Sequence, residues 1–256
     1  MMTRFTSRTL VRAVALGGAA RARAACTDDA APPTDAEYQQ VAQAVGATTS
    51  QLGDGAALTV ATQLATGVVP IGLRLDGAGR FSGDHVGLSY DYDVQCRTVL
   101  LEPVPCGALA DAAVVDATWR GRLELPRWQA SASHTGTWNL AGLRGDVTTV
   151  DGDARFVLGA TFASASAQNT KTLDLRYDAS YDGVQIDNDT HALVGGAVHY
   201  AIDMTTTHTT PGHDDRTHHA IDAVVTFTGG GAATLVLDGD RRFTIDLYAG
   251  VTVAAP

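Results

Sequence analysis

Apolar and polar residues alternate along one segment after another between Leu88 and Val253. The alternation is most regular over residues 173–181, 198–205 and 242–247. Because successive side chains of a β-strand point to opposite faces, each segment would have one apolar and one polar face. Sheets with one solvated face are usually antiparallel, whereas parallel strands covered on both faces form continuous apolar runs. The chain is therefore predicted to be mainly β and antiparallel.

The predicted strands extend over most of the chain after Pro70. They cover residues 70–75, 86–96, 113–125, 128–140, 145–150, 154–164, 171–182, 193–207, 218–228, 232–237, 242–248 and 250–254. Asp-Gly pairs at 76–77, 151–152, 182–183 and 238–239 predict hairpin turns, because glycine adopts positive φ at little cost. A sheet this wide tends to curl, split or close. We expect a meander that forms a curved or barrel-like sheet, with a two-layer sandwich as the alternative.

One or two short helices are predicted before the strands. Thr34 and Glu37 have the spacing of a capping box, and apolar residues then follow at helical intervals over residues 35–45. Asp54 is predicted to cap a second helix over residues 56–65, although part of that segment also fits an alternating strand. Such short helices are marginal alone, so we expect them to pack on the apolar face of the sheet.

The first 25 residues have the pattern of an export signal. Arg4, Arg8 and Arg12 are followed by an apolar stretch over residues 13–20 and by small residues up to Ala25. Cys26 comes next, and a polar segment rich in aspartate and proline extends to Thr34. We therefore predict a signal peptide over residues 1–25, a linker over 26–34 and a single β-rich domain over 35–256.

This arrangement resembles the signal sequence of bacterial lipoproteins, and the remainder of the chain is similar to uncharacterised predicted lipoproteins. The resemblance implies that Cys26 carries a lipid, which would anchor the protein to a membrane of the bacterial cell envelope, in the periplasm or at the outer membrane. Arg23 departs from the family, which has an aliphatic residue three positions before the cysteine. A plain cleaved signal peptide and a start codon placed too far upstream remain alternatives.

Two further cysteines, Cys96 and Cys106, are separated by nine residues that include Pro103 and Pro105. Cys96 ends an alternating segment on its apolar parity, and two adjacent strands could bring the sulfur atoms within bonding range. In an oxidising compartment we expect a disulfide, which would close a short loop and add roughly 2–3 kcal/mol of stability. Two buried thiols are the alternative.

The charge of the chain disfavours one class of partner. The formal net charge is −10, and the first 25 residues hold five arginines and no acidic residue, so the rest carries −15. A surface of this sign repels phosphate backbones, and we expect no binding to nucleic acid.

Histidines cluster near the end of the chain. His208, His213 and His218 are the candidate metal ligands, because neutral imidazole is a common ligand of zinc and copper. Their spacing matches no recognised ligand pattern, and Pro211-Gly212 indicates an exposed loop tip. His134 lies on an apolar parity and is interpreted as a core histidine bonded to backbone. No nucleophile elbow, phosphate loop or dinucleotide fingerprint is present, so neither an enzyme nor a cofactor is expected.

Three functions are compatible with these features. The first is an exported envelope lipoprotein with a non-enzymatic structural or interaction role. The second is a carrier of an apolar ligand or lipid in a cavity of the curved sheet, and the third is a metal-binding protein that uses the histidine-rich loop. Small residues on the inward parity could leave room for a ligand or let the helices approach: Ala130, Ala132, Gly136, Ala160, Ala179 and Ala223.

Overall fold

A computed structural model of the protein describes residues 32–50, 53–77, 79–85, 87–164 and 169–255. The signal peptide and Cys26 lie outside these residues. The helices are α1 (Asp35–Thr49) and α2 (Asp54–Ala65). The strands are β1 (Arg74–Gly77), β2 (Arg80–His85), β3 (Leu88–Arg97), β4 (Pro103–Val104), β5 (Ala112–Leu125), β6 (Trp128–Ala141), β7 (Val147–Ala163), β8 (Thr170–Asp187), β9 (Leu193–Thr210), β10 (His213–Gly229), β11 (Ala232–Leu237), β12 (Arg241–Asp246) and β13 (Val251–Ala254).

The strands form one antiparallel sheet in chain order from β1 to β13, and only β4 leaves this path, pairing with β3. The path is not closed, and β1 and β13 are its two ends. The prediction of a mainly β antiparallel meander is confirmed. The meander forms one open sheet rather than the two-layer sandwich that was the alternative.

The helix pair shows that the sheet is curved. Helix α2 contacts β3 and β5, whereas α1 contacts β11, β12 and β13. Six inter-strand steps separate β5 from β11, a span of about 29 Å in a flat sheet. Packed helices lie only about 8–10 Å apart. The sheet therefore curls around the helices, and they lie on its concave, apolar face.

Two predicted hairpins are wrong. Strand β7 continues through Gly152, and β8 continues through Gly183, each with an irregular register at that point. Both glycines have positive φ, +153° and +56°, which lets the strand absorb the irregularity without a turn. A bulge increases local bend and twist, so these Asp-Gly pairs shape a long strand rather than end it. The hairpins predicted at 76–77 and 238–239 are confirmed by the antiparallel pairing of β1 with β2 and of β11 with β12.

Helix α1 begins as predicted, because the reciprocal hydrogen bonds of Thr34 and Glu37 form a complete capping box. Helix α2 does not. Its N-cap is Gly53, and no side chain of the described residues makes a capping hydrogen bond there. Asp54 is instead the first helical residue, and its side chain is buried beneath the helices. Among the described residues, no helix is long and apolar enough to cross a membrane.

Candidate functional site

A cavity of about 410 Å³ opens between the helices and one end of the sheet. Its volume lies in the range of about 300–1,000 Å³ that is typical of small-molecule sites. Most of the lining is apolar or aromatic, and Asp84 is the one charged residue among the residues that line it. The side chains that dominate the wall are Val60, Ile71, Leu88, Tyr90, Trp119 and Phe156.

The position of this cavity differs from the sequence-based expectation. None of the six small inward residues named above lines it. Ala179 and Ala223 are buried in the core, and a side chain at Gly136 would collide with the Trp138 ring 2.8 Å away. The space instead lies where the segment after α2 passes across β2 and β3. Strand β2 was not predicted, because its mixture of Gly83 with polar residues hides the alternation.

A buried polar cluster lies directly behind this wall. The Asp54 carboxylate, with 3% of its side chain exposed, accepts hydrogen bonds from the hydroxyls of Tyr181 at 3.0 Å and Tyr177 at 3.2 Å. A third hydroxyl, that of Tyr200, lies 2.9 Å from Thr49 Oγ1. The cluster therefore joins both helices to β8 and β9 in the middle of the sheet.

The position of Asp54 reduces the cost of burying a carboxylate. It is the first residue of α2, where unpaired backbone amides and the helix dipole favour negative charge. The two tyrosine hydroxyls then supply charge-assisted hydrogen bonds. Burial, reinforced by the Asp54 charge, raises the pKa of Tyr177 and Tyr181 well above 10. Both tyrosines therefore remain neutral donors over the whole physiological pH range.

His134 completes the cluster from β6. Its Nε2 lies 3.2 Å from Asp54 Oδ1, but the two groups are not aligned as a hydrogen bond. Its Nδ1 has no hydrogen-bond partner among the described residues. The prediction of a core histidine is confirmed, since the residue is 1% exposed, and the expected backbone partner is wrong.

Two aromatic rings separate the cluster from the cavity. The Trp119 indole stacks on the His134 imidazole, with ring centroids 5.5 Å apart and planes inclined by 8°. Phe156 stacks on Tyr177 at 5.0 Å. Both Trp119 and Phe156 also line the cavity. The apolar wall is therefore supported by a polar network whose buried carboxylate, Asp54, does not line the cavity.

A second set of contacts joins α1 to β10 and to the turn between β11 and β12. The Tyr38 hydroxyl donates to Asp238 at 2.8 Å, and burial together with that carboxylate raises the pKa of Tyr38 to about 12. Glu37 Oε1 lies 3.0 Å from Nε2 of the buried His219. The backbone amide of Thr34 is the main cause of a lowered Glu37 pKa. These contacts hold the helix pair down at the end opposite the cavity.

The three candidate metal ligands are not brought together. The parity of the buried residues in β9 and β10 puts His208 and His213 on the concave side and His218 on the convex side. His208 lies opposite Asp215 in the strand register, and His218 Nε2 lies 3.7 Å from Asp203 Oδ1. Within the described residues, no group of three histidine, cysteine or carboxylate side chains could hold a metal ion.

The Cys96 and Cys106 sulfur atoms lie 2.08 Å apart, the distance of a disulfide bond. Cys96 is buried at the end of β3, as its parity indicated, and the pair closes the loop that contains β4. The expected disulfide is therefore seen in place of two free thiols.

Comparisons with models of protein families, with curated proteins and with solved structures find no match to this chain. The site must therefore be interpreted from its own geometry. That geometry combines an apolar cavity, an aromatic wall and a buried network that fixes the wall.

Proposed function

We propose that the protein is an exported, membrane-anchored protein of the bacterial cell envelope that binds an apolar ligand, without catalysis, in the cavity under its helix pair. The cavity carries the proposal. The space of about 410 Å³ is open to solvent, so its apolar and aromatic wall stays in contact with water unless a ligand covers it. The composition of its wall indicates a hydrophobic ligand.

The envelope location rests on the signal-like N-terminus and on Cys26, which would be the lipid attachment site. The disulfide supports the same compartment, because such bonds persist in oxidising surroundings. The segment between Cys26 and the first helix is short and polar, as expected for a tether between an anchor and a folded body. A purely structural or interaction role would not require an open cavity.

Ligand binding is tested with a neutral fluorescent probe, N-phenyl-1-naphthylamine, titrated into the full-length protein. Ala56 is half-buried and lines the cavity, so Ala56→Trp would fill part of the space. We expect this variant to raise the dissociation constant of the probe by at least about tenfold, because losing about 1.4 kcal/mol of binding free energy has that effect.

Ala36→Trp is the matched control, because Ala36 is an exposed residue of α1 that does not line the cavity. Probe binding should be unchanged in this variant. Native mass spectrometry of the untreated protein would identify a copurified ligand by its added mass. Equal probe binding in both tryptophan variants, or no saturable binding to the parent protein, would rule out the cavity as a ligand site.

A further inference from the structure

Aliphatic side chains are exposed on two loops beside the disulfide, and we propose that they form a surface that docks onto a lipid bilayer. One loop follows α2, and the other connects β3 to β4 and β5. Their most exposed apolar residues are each more than half exposed, and we call them the apolar rim: Val68, Ile71, Val99, Leu100, Leu101 and Leu109.

The two loops lie against each other. The amide of Gly107 donates to the carbonyl of Ala65 at 3.1 Å, and Gly67 approaches so closely that a Cβ there would lie 3.0 Å from Gly107 Cα. The Cys96–Cys106 bond closes the second loop at its base. Contiguous apolar patches on a soluble body are uncommon unless they bind something. The contacts at Gly107 bring the bases of the two loops together beside the disulfide, and the rim residues extend from there.

The tip of the second loop is ordered by its own hydrogen bonds. Thr98 Oγ1 accepts from the amides of Leu100 at 3.2 Å and Glu102 at 3.3 Å. The Thr98 carbonyl accepts from the amide of Leu101 at 2.8 Å, and the Thr98 amide donates to the Glu102 carbonyl at 2.9 Å. Leu101 has a φ of +63°, which is rare for a residue of this size. The loop thus holds leucines outward instead of turning them into the core.

These hydrogen bonds favour lipid as the partner. A loop that enters the apolar part of a bilayer must satisfy its backbone donors internally, since hydrocarbon supplies no acceptor. Four amides of the tip, those of residues 98, 100, 101 and 102, already do so. The exposed apolar residues of the rim include no aromatic side chain, and Glu102 is the charged side chain of the tip, whereas the residues that dominate protein–protein interfaces are tryptophan, tyrosine and arginine.

Two further features agree with a bilayer. Ile71 belongs both to the rim and to the lining of the cavity, so a docked rim would place the cavity next to lipid. Cys26 is six residues before Pro32, and a fully extended segment of that length spans about 20 Å. An anchor at Cys26 would keep the body near the membrane. These two arguments rest on the proposed function, whereas the rim and its hydrogen bonds do not.

The charge of the protein predicts how docking depends on lipid and salt. With a net charge of −10, the protein gains no attraction from anionic lipid. Docking should therefore be driven by apolar insertion, be weaker on phosphatidylserine than on phosphatidylcholine vesicles at low salt, and become similar on the two as salt screens the repulsion.

The test uses the full-length chain with Cys26→Ser, so that no acyl chain can attach. Leu100→Trp and Val253→Trp each add one fluorophore, at positions that are 78% and 64% exposed, one in the loop after β3 and the other on the edge strand β13. We expect brominated phosphatidylcholine vesicles to quench the emission added at position 100 and to leave that added at position 253 unchanged. Equal quenching at both positions, or none at either, would overturn the proposal.

A second comparison measures vesicle affinity in sedimentation. The combined variant Val99→Ser, Leu100→Ser, Leu101→Asn should lose at least about tenfold, because three aliphatic side chains no longer enter lipid. The control Val251→Ser, Val253→Ser alters exposed valines of β13 and should bind as the parent does. Unchanged binding of the first variant, or a rim-dependent dimer in sedimentation equilibrium, would contradict a lipid surface. Probe binding without vesicles reports on the cavity separately, so the two proposals can fail independently.

Discussion

Aspartate side chains are buried on one face of the curved sheet and exposed to solvent on the other. On the concave face, Asp54 is almost fully buried and bonds to two tyrosines of β8. On the convex face, Asp178 of the same strand is half exposed and pairs with Arg155 at 2.6 Å. The shorter of the two contacts is the one in water. The exposure of a polar contact to solvent, rather than its length, is therefore expected to decide how much it contributes to stability.

The physical reason is solvation. An exposed ion pair exchanges water for a partner at nearly equal free energy, and salt screens what remains. A buried carboxylate that loses its hydrogen-bond donors is not rehydrated. A mutation that removes those donors therefore lowers the free energy of unfolding by the uncompensated desolvation cost. Four predictions test this contrast between the faces.

The largest effect is expected at the concave cluster. Asp54→Ala should lower the free energy of unfolding by about 3–5 kcal/mol, because it leaves two buried tyrosine hydroxyls without an acceptor, at about 1–3 kcal/mol each. Asp178→Ala on the convex face is the matched change. Urea denaturation of both variants gives the comparison, and similar midpoints for the two would show that the Asp54 cluster contributes no more than a surface pair.

Removal of one donor should have a smaller effect. Tyr181→Phe deletes the 3.0 Å hydrogen bond to Asp54 and keeps the ring, so we expect a loss of about 1.5–3 kcal/mol, as for hydrogen bonds to charged groups. Tyr248→Phe is the control, since Tyr248 is 58% exposed. Thermal unfolding monitored by circular dichroism would measure both variants. An unchanged midpoint for Tyr181→Phe would mean that Tyr177 alone satisfies the carboxylate.

The buried tyrosines also predict a loss of stability in alkali. Burial raises the pKa of Tyr177, Tyr181 and Tyr200 above the value of 10 in the unfolded chain. Above that pH the unfolded state releases protons that the folded state retains, so stability is complete below about pH 10 and falls as the pH rises further. Denaturation curves at about pH 9 and about pH 11 would detect the change. The double variant Tyr177→Phe, Tyr181→Phe should show a shallower decline, and an identical decline would place the sensitive groups elsewhere.

The smallest effect is expected on the convex face. Arg155→Ala breaks the pair with Asp178, whose side chains are 54% and 53% exposed, and should leave the unfolding midpoint within experimental error. The measurement needs low and high salt, because screening would abolish whatever the pair contributes. A clear loss of stability that salt removes would show that the convex face is electrostatically organised after all.

Much of the fold could be predicted from residue patterns. Alternation located most of the long strands, since one face of each is buried and the other is solvated. The capping box of Thr34 and Glu37 located the start of α1 because both partners are local in sequence. The pairing of Cys96 with Cys106 followed from parity and a short separation. In each case, the interaction that decides the structure lies within a few residues of the pattern.

The candidate site could not be predicted in this way. Asp54 looks like a helix cap, and its role depends on tyrosines more than 120 residues away in sequence. The Asp-Gly pairs at 151–152 and 182–183 look like turns, and only the neighbouring strands show them to be irregularities within β7 and β8. The histidines of the β9–β10 hairpin are close in sequence, yet alternation separates His218 from the other two.

The sequence by itself determined that the chain forms an antiparallel meander with helices at its start, because strand alternation and helix capping are local and periodic. Tertiary structure alone decided how far the sheet curls, where the cavity opens and which charge is buried, since each depends on contacts between residues distant in the chain. Asp54 and Asp178 are the same residue type on either side of one sheet. Only the tertiary structure determines that Asp54 is buried and that Asp178 is exposed to solvent.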